Sequence, residues 1–177
     1  HLEAIGHKEA FEYVQTLVAE DTPLTEQVVK DIHYLVLSDK KEDRGVYRKV
    51  PVRIMGVANT PAQPFMIRPL MEQWLADYAQ SQENIVTKMA RFHLAFESIH
   101  PFIDGNGRTG RLLVNLELMK AGYPPIDIKF SDRLVYYQAF DDFYAKGSLS
   151  AMEDLFARYL NERLDMYLSI LSPDDVE

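Results

Sequence analysis

Twelve residues near the middle of the chain, from His100 to Arg111, read His-Pro-Phe-Ile-Asp-Gly-Asn-Gly-Arg-Thr-Gly-Arg. A run of helical period ends just before them, and another begins just after. Upstream, Ile85, Met89, Phe92, Phe96 and Ile99 recur every three or four residues, the spacing of one buried helix face. Pro101 ends that helix, because the residue before a proline is steered away from the α region. Downstream, Leu112, Leu113, Leu116 and Met119 mark a second buried stripe, closed by Gly122 and then Pro124-Pro125. The twelve residues are thus a loop pinned between two core helices, and that loop is the candidate site.

Its residue types define a chemistry. Gly105 and Gly107 allow a sharp turn whose N–H groups can face a ligand. The next helix is expected to start near Arg108, and its free N–H groups and dipole favour an anion there. Arg108 and Arg111 stand three apart on that first turn, each offering a fork to phosphate oxygens. Asp104 is a hard carboxylate suited to Mg²⁺ that also touches phosphate. His100 is the candidate general base, and the Asn106 amide can donate to a phosphoryl oxygen. Phe102 is expected to point inward and anchor the loop. A surface turn with ordinary ion pairs would account for any one of these residues. The whole set in this order points to a polyphosphate cradle.

The same stretch resembles the Fic-domain signature, His-x-Phe-x-(Asp/Glu)-Gly-Asn-Gly-Arg-x-x-Arg, at every specified position. The resemblance continues through Leu112–Asn115, Gly122–Pro125 and Tyr136-Tyr137, and upstream through His7–Ala10 and Gly45–Ile54. It implies an all-helical bundle with one small β-hairpin flap, and transfer of AMP from ATP to a Ser, Thr or Tyr hydroxyl of a target protein. It also implies roles. His100 would deprotonate the hydroxyl, and Asp104 would hold Mg²⁺ between the α- and β-phosphates. Gly105, Asn106, Gly107 and Arg108 would line the anion hole, and Arg111 would hold the last phosphate. Thr109 and Gly110 complete this nucleotide-binding stretch, with Asn115, Tyr136 and Tyr137 assigned to the nucleoside. Related proteins that transfer the γ-phosphate carry lysine where this chain has Gly107.

Composition agrees with a single catalytic domain over residues 1–172, followed by an acidic tail at 173–177. A chain of 177 residues suits one domain with a sizeable core. Its net charge of −8, without a basic block, argues against a general binder of nucleic acid or membrane surfaces. With no cysteine there is no disulfide and no thiolate metal site, which suits a reducing cytoplasm. No run approaches the apolar length of a membrane span, and the residues after His1 do not read as a signal peptide. A chain that starts at His1 reads as trimmed or processed.

In order, a helix is expected from Lys8 to Glu20 on the stripe Phe11, Val14 and Val18. Thr25 then caps a second helix bearing Val28, Ile32 and Leu35. Residues 38–44 form a charged, solvated loop. From Gly45, the strand formers Val46, Tyr47, Val50, Val52, Ile54 and Met55, with a return at Phe65–Ile67, suggest a hairpin; pattern alone leaves an irregular loop equally open. The resemblance makes this the flap, with Met55, Gly56, Val57 and Ala58 nearest a target segment docked by strand addition. Pro69 opens a third helix with Leu70, Trp74 and Tyr78 inward. His93, Glu97 and His100 have a spacing that suits a metal, but a buried, hydrogen-bonded His93 is the preferred reading. Ser131 or Asp132 caps a helix carrying Leu134, Tyr137 and Phe140. A long last helix, Ser148–Ser172, carries Met152, Leu155, Tyr159, Leu164 and Leu168.

Many Fic proteins carry an inhibitory helix with (Ser/Thr)-x-x-x-Glu-(Gly/Asn). No full match occurs here: Thr16–Glu20 has the spacing but is followed by Asp21. The resemblance places such a helix upstream of His1. The expected activity is therefore Mg²⁺-dependent AMP transfer, with auto-modification and a homodimer left open. The alternative is a nucleotide-binding or interaction module without transfer. A P-loop is disfavoured, since residues 105–111 lack the Gly-Lys-(Ser/Thr) ending and follow a helix.

Overall fold

The computed structural model describes residues 2–171, so the acidic tail expected at 173–177 lies outside the described residues. Seven α-helices run in the order α1 (Leu2–Ala19), α2 (Glu26–Val36), α3 (Ile67–Gln80), α4 (Ile85–Ile99), α5 (Asn106–Lys120), α6 (Arg133–Lys146) and α7 (Ser150–Ile170). Short 3₁₀ turns at Pro64–Met66 and Phe130–Asp132 lead into α3 and α6. The fold is all-α, and none of its described helices is long and apolar enough to cross a membrane.

At the centre, α4 packs along α5; α1 lies against both α2 and α5, while α3 and α7 flank α4, and α6 rests on α7. Met89, Phe96, Leu113, Leu116 and Phe156 are almost fully buried between these helices, each contributing roughly 1.5–3 kcal/mol of hydrophobic stabilisation. Gly110 sets how closely α5 approaches α4. A Cβ there would lie 2.5 Å from Glu97 Oε1 and 3.1 Å from Phe96.

The helix ends follow their caps. The Thr25 side chain accepts from the Val28 N–H at 3.2 Å, and Asn84 accepts from Thr87 N–H at 3.0 Å. The α4 helix stops at His100, whose backbone is left-handed with φ 51°, immediately before Pro101. Gly105 is also left-handed, φ 77°, and opens α5 at Asn106, two residues earlier than Arg108.

The expected β-hairpin flap does not form: there is no strand among the described residues. Residues 45–63 run as turns, bends and irregular backbone without a strand partner, because their backbone groups bond elsewhere. The Val50 and Ala62 carbonyls both accept from the Arg48 guanidinium. The Ala62 N–H goes to Ser98 O, and the Ala58 N–H to the Asp141 carboxylate. Pro51, Pro61 and Pro64 have no N–H to offer. Only the tip survives, a turn closed by Val57 N–H to Ile54 O at 3.3 Å with Gly56 at φ 80°. Phe65–Ile67, expected as a strand, instead forms the 3₁₀ start of α3, so Pro69 sits inside that helix.

Other registers also differ. The inner face of α1 is Ala10, Val14 and Leu17 rather than Phe11 and Val18. Leu134 is 71% exposed, and α6 buries Tyr136, Ala139 and Phe140 instead. Asp132 does not cap α6 with its side chain; its carboxylate takes the Tyr159 hydroxyl and pairs with Arg158. On α7, Leu164 and Leu168 are exposed, since its last turns run past the core.

Candidate active site

The 102–106 loop closes on itself. Phe102 is fully buried, and its N–H and carbonyl are both taken by the Asn106 side chain, at 2.9 and 2.8 Å. Its ring stacks on His33, with centroids 3.6 Å apart and planes 6° from parallel. His33 Nε2 donates to the Asp104 carbonyl at 2.8 Å while its Nδ1 accepts the Gly45 N–H at 2.9 Å. That pattern requires a neutral ring, and burial lowers the His33 pKa to about 4.

One open pocket of about 680 Å³ collects His100, Asp104, Gly105, Gly107, Arg108 and Arg111 from this region. The first N–H groups of α5, at Asn106 and Gly107, have no carbonyl within the helix to receive them. Together with the helix dipole and the two arginines they make an anion-binding end. Gly107 leaves room for the clamp: a Cβ there would lie 3.1 Å from Arg111 Nη1. The Asp104 carboxylate accepts from Gly105 N–H at 2.7 Å and from Lys40 Nζ at 3.0 Å. Burial pushes its pKa up, but these donors outweigh that and hold it below its ordinary value.

His100 Nδ1 stands 3.5 Å from Glu97 Oε2. Burial pushes the Glu97 carboxyl up, yet the neighbouring His100 and Arg111 lower it overall. An ionised Glu97 favours the proton on Nδ1 and leaves the Nε2 lone pair as the base. His93 takes no part in this. Its Nε2 accepts the Tyr136 O–H at 2.5 Å, and burial lowers its pKa to about 4. No group of three or more His, Cys, Asp or Glu among the described residues could hold a metal. Asp104 therefore stands as a single hard carboxylate beside an anion-binding helix end.

Several candidates serve the frame instead. Asn106 also lines the pocket, with its side-chain amide bonded to both backbone groups of Phe102 and its backbone N–H at the open end of α5. Thr109 is fully buried and Gly110 faces α4. Both ends of the Asn115 amide bond Ile126, at 2.9 and 2.8 Å. Tyr136 and Tyr137 both line the pocket. The Tyr137 ring also lies under Gly56, where a Cβ would come within 2.6 Å of it. Met55 reaches the pocket, whereas Gly56, Val57 and Ala58 do not line it.

Sequence reasoning missed five contributors. Glu97 stands one turn before His100, a spacing seen only as a metal pattern. His33 was hidden inside an apolar stripe. Arg53 and Arg133 line the pocket from distant segments. Arg48 was one of several cations among strand formers, a signal that goes unused when its neighbours suggest a hairpin.

Comparison with known proteins places this geometry. The Fic/DOC family pattern matches residues 23–118. Protein adenylyltransferase Fic from Drosophila ananassae is 32% identical over 170 residues, 95% of this chain and 34% of that protein. The Drosophila grimshawi protein of the same name is likewise 32% identical, over 35% of its length. The chain thus spans about a third of the length of these curated relatives. Among solved structures, residues 134–508 of Fic-1 from C. elegans align with a TM-score of 0.83 at 22% identity, covering 97% of this chain and 52% of that one. BepC from Bartonella tribocorum, with bound AMPPNP, aligns at 0.66 and 19% identity, covering 86% of each chain. With the signature loop, the helical fold and a family pattern across more than half its length, this chain belongs to the Fic/DOC family.

Proposed function

We propose that this chain is the catalytic domain of a protein adenylyltransferase, moving AMP from ATP to a hydroxyl side chain of a target protein. The observation that carries the reading is the gathering of His100, Asp104, Arg108 and Arg111 around the N-terminus of α5 in one open pocket. The names of the Drosophila relatives point the same way, and BepC accepts an ATP analogue on the same fold.

In this reading the triphosphate lies against the first turn of α5, where backbone N–H groups, Arg108 and Arg111 counter its charge. A target hydroxyl approaches beside Met55. His100 Nε2 takes the hydroxyl proton while the hydroxyl oxygen bonds to the α-phosphorus. The bond from that phosphorus to its bridging oxygen breaks, and pyrophosphate leaves with the electron pair. Glu97 steadies the resulting imidazolium through Nδ1. Asp104 fits Mg²⁺, which proteins commonly hold with one or two carboxylates plus substrate phosphates. When bound, Mg²⁺ would neutralise charge on the α- and β-phosphates. Lys40 then has to release the carboxylate. Action in the cytoplasm is part of this reading, and a chain without cysteine is compatible with it.

The test compares ATP labelled at the α- or the γ-phosphate, with Mg²⁺ and host lysate, for the wild type and His100→Ala. Protein label from the α-phosphate alone, lost in the variant, supports the reading. Label from the γ-phosphate would mean kinase chemistry and refute it. ATP binding without any label is the outcome that a non-transferring module requires.

A further inference from the structure

Arg48 has no part in the chemistry above, yet it is 5% exposed and its guanidinium is bonded entirely to backbone carbonyls. Nε donates to His100 O at 2.7 Å, and Nη2 to Ile99 O at 3.1 Å. These are carbonyls of the last turn of α4, which the helix itself cannot satisfy, and a cation is favoured at that end of the dipole. Nη1 donates to Val50 O at 2.8 Å, and Nη2 also to Ala62 O at 2.5 Å. Val50 and Ala62 lie on the outgoing and returning limbs of the 45–63 segment, whose tip brings Met55 to the pocket. The Arg48 backbone N–H adds a bond to Pro101 O at 2.9 Å. One planar fork therefore ties together both limbs of that segment and the residue that carries the base.

We propose that Arg48 is a positioning residue that locks the 49–62 segment to the His100 turn, so that the surface presenting the target hydroxyl and the base that deprotonates it move as one body. This rests on the AMP-transfer reading. Transfer needs the hydroxyl close to both the α-phosphorus and the His100 ring. The loop sets one of these positions and the 49–62 segment the other. The two share no strand ladder; beside the backbone bonds from Arg48 N–H to Pro101 O and from Ala62 N–H to Ser98 O, it is the fork that fixes their separation. Loss of such alignment removes rate while leaving nucleotide affinity in place. A lysine keeps the charge but is a single point donor on a flexible stem, and it cannot span carbonyls from three segments.

The experiment compares the wild type with Arg48→Lys and Arg48→Met. The readouts are ATP binding by calorimetry, the maximal rate of auto-modification from α-labelled ATP, and hydrogen exchange of residues 49–62 and 97–103. For Arg48→Lys we expect a folded protein, ATP affinity within about twofold, faster exchange in both segments together, and a maximal rate lower by about 10–100-fold. Faster exchange in only one segment, or an unchanged rate once both have loosened, would overturn the proposal. So would global unfolding of Arg48→Lys, which would assign the residue to the fold alone. Arg48→Met is expected to extend the same pattern, and if it does not fold, Arg48→Lys carries the test. If the wild type transfers no label to itself or to host lysate, the functional reading fails, and coupled exchange still decides whether the lock exists.

Discussion

The 102–106 loop and the 45–63 segment border the same pocket, yet they are held in opposite ways. The bonds that close the loop are local: Asn106 closes on Phe102 four residues away, and Asp104 on the next N–H, while His33 and Lys40 reach Asp104 from afar. In the segment nearly every fixing bond is remote, reaching Ser98, His100, Pro101 and Asp141. A local closure is written into residue spacing, so a loop of this kind can be recognised from its sequence. A remote clamp depends on what the fold brings near, and its residues look like a strand until the partners are known. His33 joins the two, holding Gly45 with one ring nitrogen and the Asp104 carbonyl with the other.

The sharpest break between the two regions is expected from His100→Ala. Transfer should fall by about 10³-fold, a usual range for a lost general base, while urea stability and ATP affinity stay close to wild type. A variant that kept a tenth of the activity would remove the base from His100.

Next in size are two stability losses that weigh the remote clamp against the local closure. Arg48→Met leaves carbonyls from three segments unpaired and should lower urea stability by about 3–5 kcal/mol. Asn106→Ala strands only the Phe102 N–H and carbonyl, and should cost about 2–3 kcal/mol. A larger loss for Asn106→Ala would reverse the comparison.

A pH titration probes the junction. Folded His33 and His93 take a proton only at about 4, whereas the unfolded groups take it near 6.5. Between those values the unfolded chain binds more protons, so the stability from these two groups is complete above pH 6.5 and lost as pH falls toward 4. Near pH 5 the slope should approach two protons, roughly 2.7 kcal/mol per pH unit. His33→Gln should remove about half of this slope in urea titrations at stepped pH. An unchanged slope would mean that His33 is not held neutral.

The smallest effect is expected from Lys40→Ala. The ion pair with Asp104 is exposed, so removing it should tighten Mg²⁺ binding by no more than about threefold and leave the melting temperature in place. Weaker metal binding would make Lys40 part of the metal site rather than its competitor.

What the sequence disclosed follows the same division. Helices α2, α4 and α5 were legible because the Thr25 cap and the stops at Pro101 and Gly122 act within a few residues. So were His100, Asp104, Gly105, Gly107, Arg108 and Arg111, which do meet in one pocket. The registers of α6 and the end of α7 were misread at Leu134, Leu164 and Leu168, since an apolar stripe does not reveal where its partner helix ends. Asn106 and Asn115 suited a ligand as amides, but each found a buried backbone pair nearer to hand. Glu97 and Arg48 carried only ambiguous local signals, and their importance comes from neighbours that folding supplies.

The most direct test is a crystal structure of this chain with Mg²⁺ and a non-hydrolysable ATP analogue. The account predicts the triphosphate on the first turn of α5, with its α-phosphate facing His100. It also predicts that Asp104 turns from Lys40 to the metal, while the Arg48 contacts to His100, Val50 and Ala62 remain. A nucleotide bound away from the 102–111 loop, or one presenting its γ-phosphate to His100, would contradict it.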